Sequence, residues 1–363
     1  MNVTQSPGSD EVLIRREGRA GRITMNRPAA LNALTYAMVG RIWEALTAWQ
    51  DDPGVGVVLL DGAGGRALCA GGDVRALYDS RGQGSSFARA FWSEEYRLDA
   101  LIGRYPKPFV AIQDGIVMGG GIGLSGHAHH RIVTERSKLA MPETGIGLIP
   151  DVGGTWLLAH APGETGVYLG LTGEPMGAAD AIYARFADTF IPATKLPQLV
   201  DRLVDTKGGP VGAAVAALTE DAGSPPLAAR RADIDRVFGN AEVEAMLAVL
   251  SEIPGEWAHK IAATLAQKSP KSLELTLAAI RNARTLAALE AALNVEYRLT
   301  VRLFEDGEFP EGVRALIVDK DRKPKWSPAR LADVERELVT AYLAPLPPEE
   351  ELGLEPHAHS AAT

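Results

Sequence analysis

The chain has 363 residues, of which 46% are hydrophobic and 23% are charged, and its formal net charge is −9. This composition is typical of a globular protein with a large buried core, and the negative charge argues against a general nucleic-acid binder, which needs a basic surface. No apolar run reaches the ~18–20 residues of a membrane span, and the first twelve residues lack the features of a signal or transit peptide. A single cysteine, Cys69, excludes an intramolecular disulfide and suits a reducing compartment, so we expect a cytoplasmic protein. From the charge and the short apolar runs we expect neither nucleic-acid nor membrane partners.

Short strands and helices alternate through the first half of the chain. Such alternation predicts an α/β fold built from right-handed crossovers. The run Val-Gly-Val-Val-Leu-Leu-Asp-Gly at 55–62 is largely apolar, as expected for a buried parallel strand. In chain order, the predicted elements are strands at 11–16 and 20–25, a helix at about 35–50, the strand 55–62, a helix at about 86–104, a strand at 109–118 and a helix at 153–160.

The composition changes near residue 200, where Ala- and Leu-rich helical sequence begins and continues to about 343. The proline-rich and charged sequence that follows is typical of disorder. The predicted organisation is therefore a core over 11–200, a C-terminal helical region over 201–343 and a disordered tail over 344–363.

Two glycine-rich segments follow predicted strands. Cys69-Ala70-Gly71-Gly72-Asp73 precedes a helix that begins near Asp73, and a tight turn is its simplest interpretation. Met118-Gly119-Gly120-Gly121 ends the strand 109–118 and enters a helix. Glycine has no Cβ, and the first N–H groups of a helix lack partners, so such a segment can present donors to a phosphate, a carboxylate or a developing oxyanion.

Three other interpretations of this region have less support. Residues 121–126 match the G-x-G-x-x-G dinucleotide fingerprint, but the acidic residue at the required distance follows Pro142, which does not suit a central strand. The segment around Ser125 lacks the final glycine of the serine-hydrolase motif G-x-S-x-G, because position 127 is a histidine. The histidines at 127, 129 and 130 do not share a helical face, so they indicate a solvated helix end, and we expect no metal site.

Two carboxylates, Glu143 and Asp151, lie among glycine, proline and apolar residues at 140–154. An apolar pocket raises the pKa of a carboxyl group towards neutrality, which suits acid–base or nucleophilic chemistry. Asp151 also precedes the predicted helix 153–160, so a helix-capping role is equally open. Glu95, on the predicted helix 86–104, has by itself the pattern of a solvated helix face.

Together these segments resemble the enoyl-CoA hydratase/isomerase (crotonase) superfamily. The shared motifs are N-R-P-x-x-L-N-A-L at 26–34, A-G-G-D at 70–73, M-G-G-G at 118–121 and P-E-x-G-I-G-L-I-P at 142–150, in the family's order and spacing. The resemblance implies a ββα spiral core that binds a CoA thioester, with an oxyanion hole formed by the backbone N–H groups of Gly72 and Gly120. It also implies CoA contacts by Arg27, Ala70, Gly72, Asp73 and Val74.

One departure separates the chain from the hydratases of that superfamily. Those enzymes use two glutamates, of which one matches Glu143, whereas the other belongs at the position of Gly123. Asp151 appears instead, within a P-E-T-x-I-G-L-x-P-D-V-G-G string that is similar to the 3-hydroxyisobutyryl-CoA hydrolases. Glu94-Glu95-Tyr96 and the run F-P-E-G-V-R-A at 309–315 extend this similarity to about residue 335.

The similarity to the hydrolases implies hydrolysis of a short β-hydroxyacyl-CoA, such as 3-hydroxyisobutyryl-CoA in valine degradation or 3-hydroxypropionyl-CoA. It assigns Glu143 as general base or nucleophile, Asp151 as the group that orients the 3-hydroxyl or water, and Glu95 as part of the acyl pocket, in which Gly120 also contacts the substrate. No metal or redox cofactor is implied, and the superfamily includes trimers and hexamers. The rival interpretations are a hydratase or isomerase on the same fold, and a CoA-binding or assembly subunit without activity.

Overall fold

Two compact units make up the part of the chain that the structure describes. The computed structural model describes residues 10–205 and 207–356. Unit 1 contains the residues up to Asp73 together with Arg97–Leu139 and Met176–Pro225, and unit 2 contains Val74–Tyr96, Ala140–Pro175 and the residues from Pro226 onwards. Both units draw on sequence before and after residue 200, so they do not coincide with the predicted regions 11–200 and 201–343.

Unit 1 is organised by a six-stranded sheet in the order β1-β2-β3-β5-β7-β9. The first two strands form an antiparallel hairpin, and the other neighbours pair in parallel. A second, three-stranded sheet has the order β4-β6-β8. The strands are β1 (Val12–Glu17), β2 (Ala20–Met25), β3 (Val57–Gly62), β4 (Ala67–Cys69), β5 (Phe109–Gln113), β6 (Ile116–Met118), β7 (His130–Val133), β8 (Lys138–Ala140) and β9 (Thr189–Phe190).

The predicted strand 109–118 is two strands in the structure, because the chain turns at Gly115. Gly115 has a φ of +75°, and a Cβ there would overlap the carbonyl of Arg66. Only glycine adopts that conformation at such close approach without strain. The turn moves β6 out of the six-stranded sheet and into the three-stranded one, next to β4.

The helices of unit 1 cover its main sheet. Alternate apolar residues of β3 and β5, such as Val57, Leu59 and Val110, pack with residues of two helices, such as Leu199 and Val215, in one buried cluster. The helices of unit 1 are α1 (Tyr36–Gln50), α4 (Gly120–Gly126), α7 (Ala178–Tyr183), α8 (Leu196–Val204) and α9 (Val211–Ala216).

Unit 2 is mainly helical. Its longer helices are α14 (Pro270–Ala283), which packs against α5 and α6, and α15 (Leu289–Glu305), which packs against α5 and α16. The others are α2 (Val74–Ser80), α3 (Ser86–Gly103, which continues into unit 1 from Arg97), α5 (Gly154–Ala159), α6 (Thr165–Thr172), α10 (Pro226–Ala229), α11 (Arg231–Phe238), α12 (Val243–Glu252), α13 (Glu256–Leu265), α16 (Glu308–Val313) and α17 (Arg336–Leu343). Among the described residues, no helix has the length and apolar character to cross a membrane.

The predicted disordered tail needs correction over its first part. Leu352 is buried, and the backbone of Leu354 exchanges two hydrogen bonds with the side chain of Asn294 on α15, at 2.8 and 3.0 Å. Glu351 forms an ion pair with Arg298 of the same helix at 2.8 Å. Apolar burial and these side-chain contacts therefore order a segment whose composition indicated disorder. The last part of the predicted tail, 357–363, lies outside the described residues.

Candidate active site

Two turns of unit 1 carry the backbone N–H groups of the predicted oxyanion hole. A parallel bridge between Leu34 and Gly72 uses the Gly71 carbonyl and the Asp73 N–H, at 2.9 and 2.8 Å, and leaves the Gly72 N–H outside the pairing. Gly120 is the first residue of α4, where a helical N–H has no intrahelical acceptor. A Cβ at Gly71 would lie 4.0 Å from the Gly120 nitrogen. The structure thus brings together the two turns predicted to form the oxyanion hole.

The glycines that follow serve packing within α4. A Cβ at Gly121 would overlap the Cys69 carbonyl oxygen, so only glycine lets the helix approach this closely. All of residues 121–126 lie buried inside the helix and do not form a loop that precedes it, which argues against the dinucleotide interpretation. The Ser125 hydroxyl donates to the Gly121 carbonyl at 2.6 Å and accepts from Gln113 at 3.0 Å, so it is a structural group and not a nucleophile.

The predicted CoA contacts of unit 1 also lie together. The guanidinium of Arg27 pairs with Asp73 at 3.1 Å and with Glu11 at 3.2 Å, and it donates to the Ala33 carbonyl at 2.7 Å. The Ala70 N–H donates to the Leu31 carbonyl at 3.0 Å. These contacts join the turn at 26–34 to the turn that carries Gly72. The fifth predicted contact, Val74, is the first residue of α2 in unit 2.

Two histidines of the cluster, His129 and His130, lie at the main sheet. His129 Nδ1 accepts a hydrogen bond from the Phe109 N–H at 3.2 Å, and His130 begins β7. Burial lowers the pKa of both imidazoles. No group of three or more metal-ligating side chains occurs within residues 10–205 and 207–356. His129 lies exposed just beyond the end of α4, as expected for a solvated helix end, although its ring also accepts a hydrogen bond from β5.

Glu143 lies in unit 2, in a single 3₁₀ turn at 143–146. The turn is fixed by the Thr144 carbonyl, which accepts the Ser269 N–H at 3.1 Å, and by Gly147, where a Cβ would overlap the Glu308 carbonyl. Glu143 is buried, and its Oε2 has no hydrogen-bond partner among the described residues. Burial and, next, the charge of Asp151 raise its pKa well above the ordinary value. A buried carboxyl group with an unused oxygen can accept a proton from a bound substrate or water.

Asp151 is also buried, and its Oδ2 accepts a hydrogen bond of 2.6 Å from the hydroxyl of Tyr96. Burial raises its pKa to about 6, although the Tyr96 hydrogen bond opposes that rise. The capping interpretation is wrong, because the N-cap of α5 is Gly153, and Glu296 accepts the N–H groups of Gly153 and Thr155 at the start of the helix. Asp151 is therefore held by a phenol, and its side chain is available for chemistry.

Glu95 belongs to the same group of buried carboxylates and is not a solvated surface residue. It is 2% exposed, and its Oε1 has no hydrogen-bond partner in the described part of the chain. Burial and the charge of Asp151 raise the pKa of Glu95 well above its ordinary value. Burial raises the pKa of all three carboxyl groups, and the charge of Asp151 raises the pKa of Glu95 and Glu143 further. The group therefore tends to retain protons that it can exchange.

Three further side chains of unit 2 act on this group, and the sequence patterns did not point to them. The Tyr96 phenol holds Asp151. The Nζ atom of Lys268 lies next to Gly145, 3.3 Å from the position that a Cβ on this glycine would take. Its positive charge partly offsets the rise in the pKa of Glu143. Glu296, on α15, accepts hydrogen bonds from the segment that follows Asp151. The only signal in the sequence is the position of Tyr96 next to Glu95.

Comparison with known proteins gives the family. The sequence profile described as "Enoyl-CoA hydratase/isomerase" matches residues 20–343. The chain belongs to the enoyl-CoA hydratase/isomerase family. Among curated relatives of this family member, the 3-hydroxyisobutyryl-CoA hydrolase, mitochondrial, of Danio rerio is 40% identical over 93% of this chain and 90% of that protein. The protein of the same name from Homo sapiens is 37% identical over 91% of this chain and 87% of that protein.

Two solved structures align with most of this chain. A carnitinyl-CoA dehydratase from Mycobacterium thermoresistibile is 45% identical, with a TM-score of 0.90 over 95% of this chain and all of that one. An enoyl-CoA hydratase from Rhodobacter sphaeroides 2.4.1 is 44% identical, with a TM-score of 0.89 over the same shares. The predicted α/β crotonase fold is thereby confirmed. The names of the curated relatives and of the solved structures differ in reaction, and that difference bears on the function proposed below.

Proposed function

We propose that the chain hydrolyses a short β-hydroxyacyl-CoA thioester, with 3-hydroxyisobutyryl-CoA as the first candidate substrate. The observation that carries the proposal is the group of buried carboxylates in unit 2, in which Glu143 has a free oxygen and Asp151 is held by Tyr96. The names of the curated relatives support the same reaction. The acyl group follows from those names, whereas the requirement for acid–base groups follows from the structure.

In this proposal the two functions of the site are divided between backbone and side chains. The N–H groups of Gly72 and Gly120 bind the carbonyl oxygen of the thioester and stabilise the oxyanion. Glu143 either removes a proton from water, which then attacks the carbonyl carbon, or attacks that carbon itself and forms an anhydride that water opens. In both routes the C–S bond breaks and the thiolate of CoA takes up a proton. Asp151 orients the 3-hydroxyl or the water, and Glu95 borders the acyl group.

Several parts of the proposal follow from family membership. Arg27, Ala70, Asp73 and Val74 contact the CoA portion of the substrate. CoA enters as part of the substrate, and the carboxylates supply the proton transfers, so the proposed reaction uses no metal or redox cofactor. We assign the reaction to valine degradation and the assembly to a trimer or hexamer. The assignment to the cytoplasm rests on the single, buried Cys69 and differs from the location in the names of the curated relatives, which are mitochondrial.

Hydration of an enoyl-CoA is the second candidate, because the names of the two solved structures point to it. Addition of water across a double bond needs two groups that flank the water, a base and an acid. The second glutamate of the hydratases corresponds to Gly123, which is buried in the middle of α4 without a side chain. A hydratase would therefore have to use Asp151 or Glu95 as the partner of Glu143. We favour hydrolysis because it needs only one such group besides the oxyanion hole.

A CoA-binding subunit without activity is disfavoured by the same carboxylates. A buried polar atom without a partner destabilises a fold by about 1–3 kcal/mol. Glu95 Oε1 and Glu143 Oε2 both lack partners among residues 10–205 and 207–356. Natural proteins keep few such groups, and those that they keep are concentrated at functional sites.

One set of assays on the purified chain separates these functions. Release of free thiol from 3-hydroxyisobutyryl-CoA or 3-hydroxypropionyl-CoA supports hydrolysis, and loss of the enoyl absorbance of crotonyl-CoA without thiol release supports hydration. Tight binding of both thioesters without turnover supports a subunit that only binds CoA. A nicotinamide-dependent absorbance change would contradict all three.

A further inference from the structure

The backbone that follows Asp151 is strained. Val152 has a φ of +54° and Gly153 a φ of +77°, so two successive residues lie in the left-handed region. For a β-branched residue such as valine this conformation is a rare and unfavourable outlier, and it persists only where neighbouring groups hold it. The strained turn directs the chain from Asp151 into α5, so whatever holds the turn also places the Asp151 side chain.

Glu296, on α15, makes the contacts that hold this turn. One of its carboxylate oxygens accepts the Gly153 N–H at 2.7 Å, and the other accepts the Thr155 N–H at 2.9 Å as well as the Thr155 hydroxyl. Glu296 is fully buried. Both oxygens of Glu296 therefore hold the turn, while burial raises the pKa of this carboxyl group to about 8.

The same helix also supports Asp151 from the side-chain direction. The Tyr96 hydroxyl that donates to Asp151 lies 3.4 Å from the hydroxyl of Thr300, and the Tyr96 ring meets the ring of Tyr297 edge to face at 6.3 Å. Both Tyr297 and Thr300 lie on α15. Helix α15 therefore fixes Asp151 in two ways. Glu296 holds the backbone that follows Asp151, and Tyr297 and Thr300 support Tyr96, which binds the Asp151 carboxylate.

We propose that Glu296 is a positioning residue of the active site, which holds the strained turn at Val152 and Gly153 so that Asp151 faces the substrate. The inference rests on the proposed catalytic site, to which Glu296 adds a group that acts through Asp151. An alternative role is simple stabilisation of the start of α5. The two roles differ in one respect, because a positioning residue acts through Asp151 and a stabilising residue does not.

Glu296→Gln is the variant that separates the roles. Glutamine has the same size as glutamate, but an NH₂ group replaces one of the two accepting oxygens. That NH₂ group cannot accept from the N–H of Gly153 or Thr155, so the turn loses at least one hydrogen bond. We expect kcat to fall by about 10- to 100-fold while KM changes by less than about 3-fold. The matched control is Glu290→Gln, which removes another buried carboxylate from α15 and should retain kcat within about 2-fold.

The deciding measurement is a double-mutant cycle with Asp151→Asn. If Glu296 acts through Asp151, Glu296→Gln causes no further loss of kcat in the Asp151→Asn background. Equal losses in both backgrounds would overturn the proposal, as would a Glu296→Gln variant with wild-type kcat. Should Glu296→Gln fail to fold, Thr155→Val removes one of the same contacts and enters the same cycle, with the same two outcomes.

The positioning role of Glu296 can be tested whichever reaction the chain catalyses. If the wild-type chain hydrates crotonyl-CoA instead of releasing thiol, the cycle is measured with hydration. If the chain turns over neither thioester, crystal structures of the wild type and of Glu296→Gln decide. A changed φ at Val152 together with a displaced Asp151 side chain supports positioning, and an unchanged turn overturns it.

Discussion

The hydrogen bond from Tyr96 to Asp151 makes a specific prediction about pH. The bond is buried and 2.6 Å long, and it holds the pKa of Asp151 at about 6 against the effect of burial. Tyr96→Phe removes the donor and keeps the ring. A hydrogen bond to a charged group contributes about 1.5–3 kcal/mol, which corresponds to a change of about 1–2 pH units in a titration. Because the bond favours the ionised form, its loss raises the pKa of Asp151.

The expected result follows from the fraction of Asp151 that is ionised. At pH 6 about half of the wild-type groups are ionised, and a rise of 1–2 pH units lowers that fraction by about 5- to 50-fold. The assay is kcat/KM for thioester hydrolysis between pH 5 and pH 9. Tyr96→Phe should show a deficit of about 5- to 50-fold at pH 6, which grows towards pH 5 and nearly disappears by pH 9. An equal deficit at pH 6 and pH 9, or none at pH 6, would refute the role given to this hydrogen bond.

Three further predictions concern the carboxylates. Glu143→Gln keeps the shape of the side chain but removes the base or nucleophile, so kcat for hydrolysis should fall by about 10²-fold or more; a variant with wild-type kcat would show that the role is wrong. Asp151→Asn should lose activity while its melting temperature at pH 8 is no lower than that of the wild type. Because the folded-state pKa of Asp151 is raised to about 6, the wild type binds a proton on folding and loses stability as pH rises from about 4 through 6. Relative to Asp151→Asn, its unfolding free energy should therefore fall by about 1–2 kcal/mol between pH 5 and pH 8.

Controls for these variants come from the same measurements. Circular dichroism and melting curves of Glu143→Gln at pH 6 and pH 8 show whether its loss of activity reflects unfolding. For Asp151, the comparison between wild type and variant cancels the titration of other groups, such as His129, whose lowered pKa makes stability rise with pH. A wild type and an Asp151→Asn variant with parallel stability curves over this range would contradict the buried, raised-pKa state of Asp151.

Local patterns predicted most elements of the sheet and the glycine turns. The strand at 20–25 appears at Ala20–Met25, and the helix at 35–50 appears as Tyr36–Gln50, where the Thr35 hydroxyl accepts the Met38 N–H at 3.2 Å. The strand at 109–118 was predicted too long, because an apolar run does not show where a glycine turns the chain away from its sheet. Periodicity and turn chemistry are local, and they succeed where the structure depends on local preference.

The support of the site was not predictable from local sequence, because it depends on contacts between distant residues. Glu296 meets Gly153 across 143 positions of the chain, and Tyr96 meets Asp151 across 55. A glutamate inside a helical pattern is most often solvated, and only the tertiary packing of α15 shows that this one is buried. The capping interpretation of Asp151 failed for the same reason, since the distant Glu296 satisfies the N–H groups that a local cap would have bonded.

The central claim is that this family member breaks the thioester bond of a β-hydroxyacyl-CoA. The most direct test incubates the unmodified chain with 3-hydroxyisobutyryl-CoA and, separately, with crotonyl-CoA, and quantifies free CoA and the acyl product by mass spectrometry. We predict equal amounts of CoA and 3-hydroxyisobutyrate from the first substrate and negligible hydration of the second, because Gly123 supplies no second carboxylate. Robust conversion of crotonyl-CoA to 3-hydroxybutyryl-CoA without release of CoA from either substrate would contradict the claim and show that the chain is a hydratase.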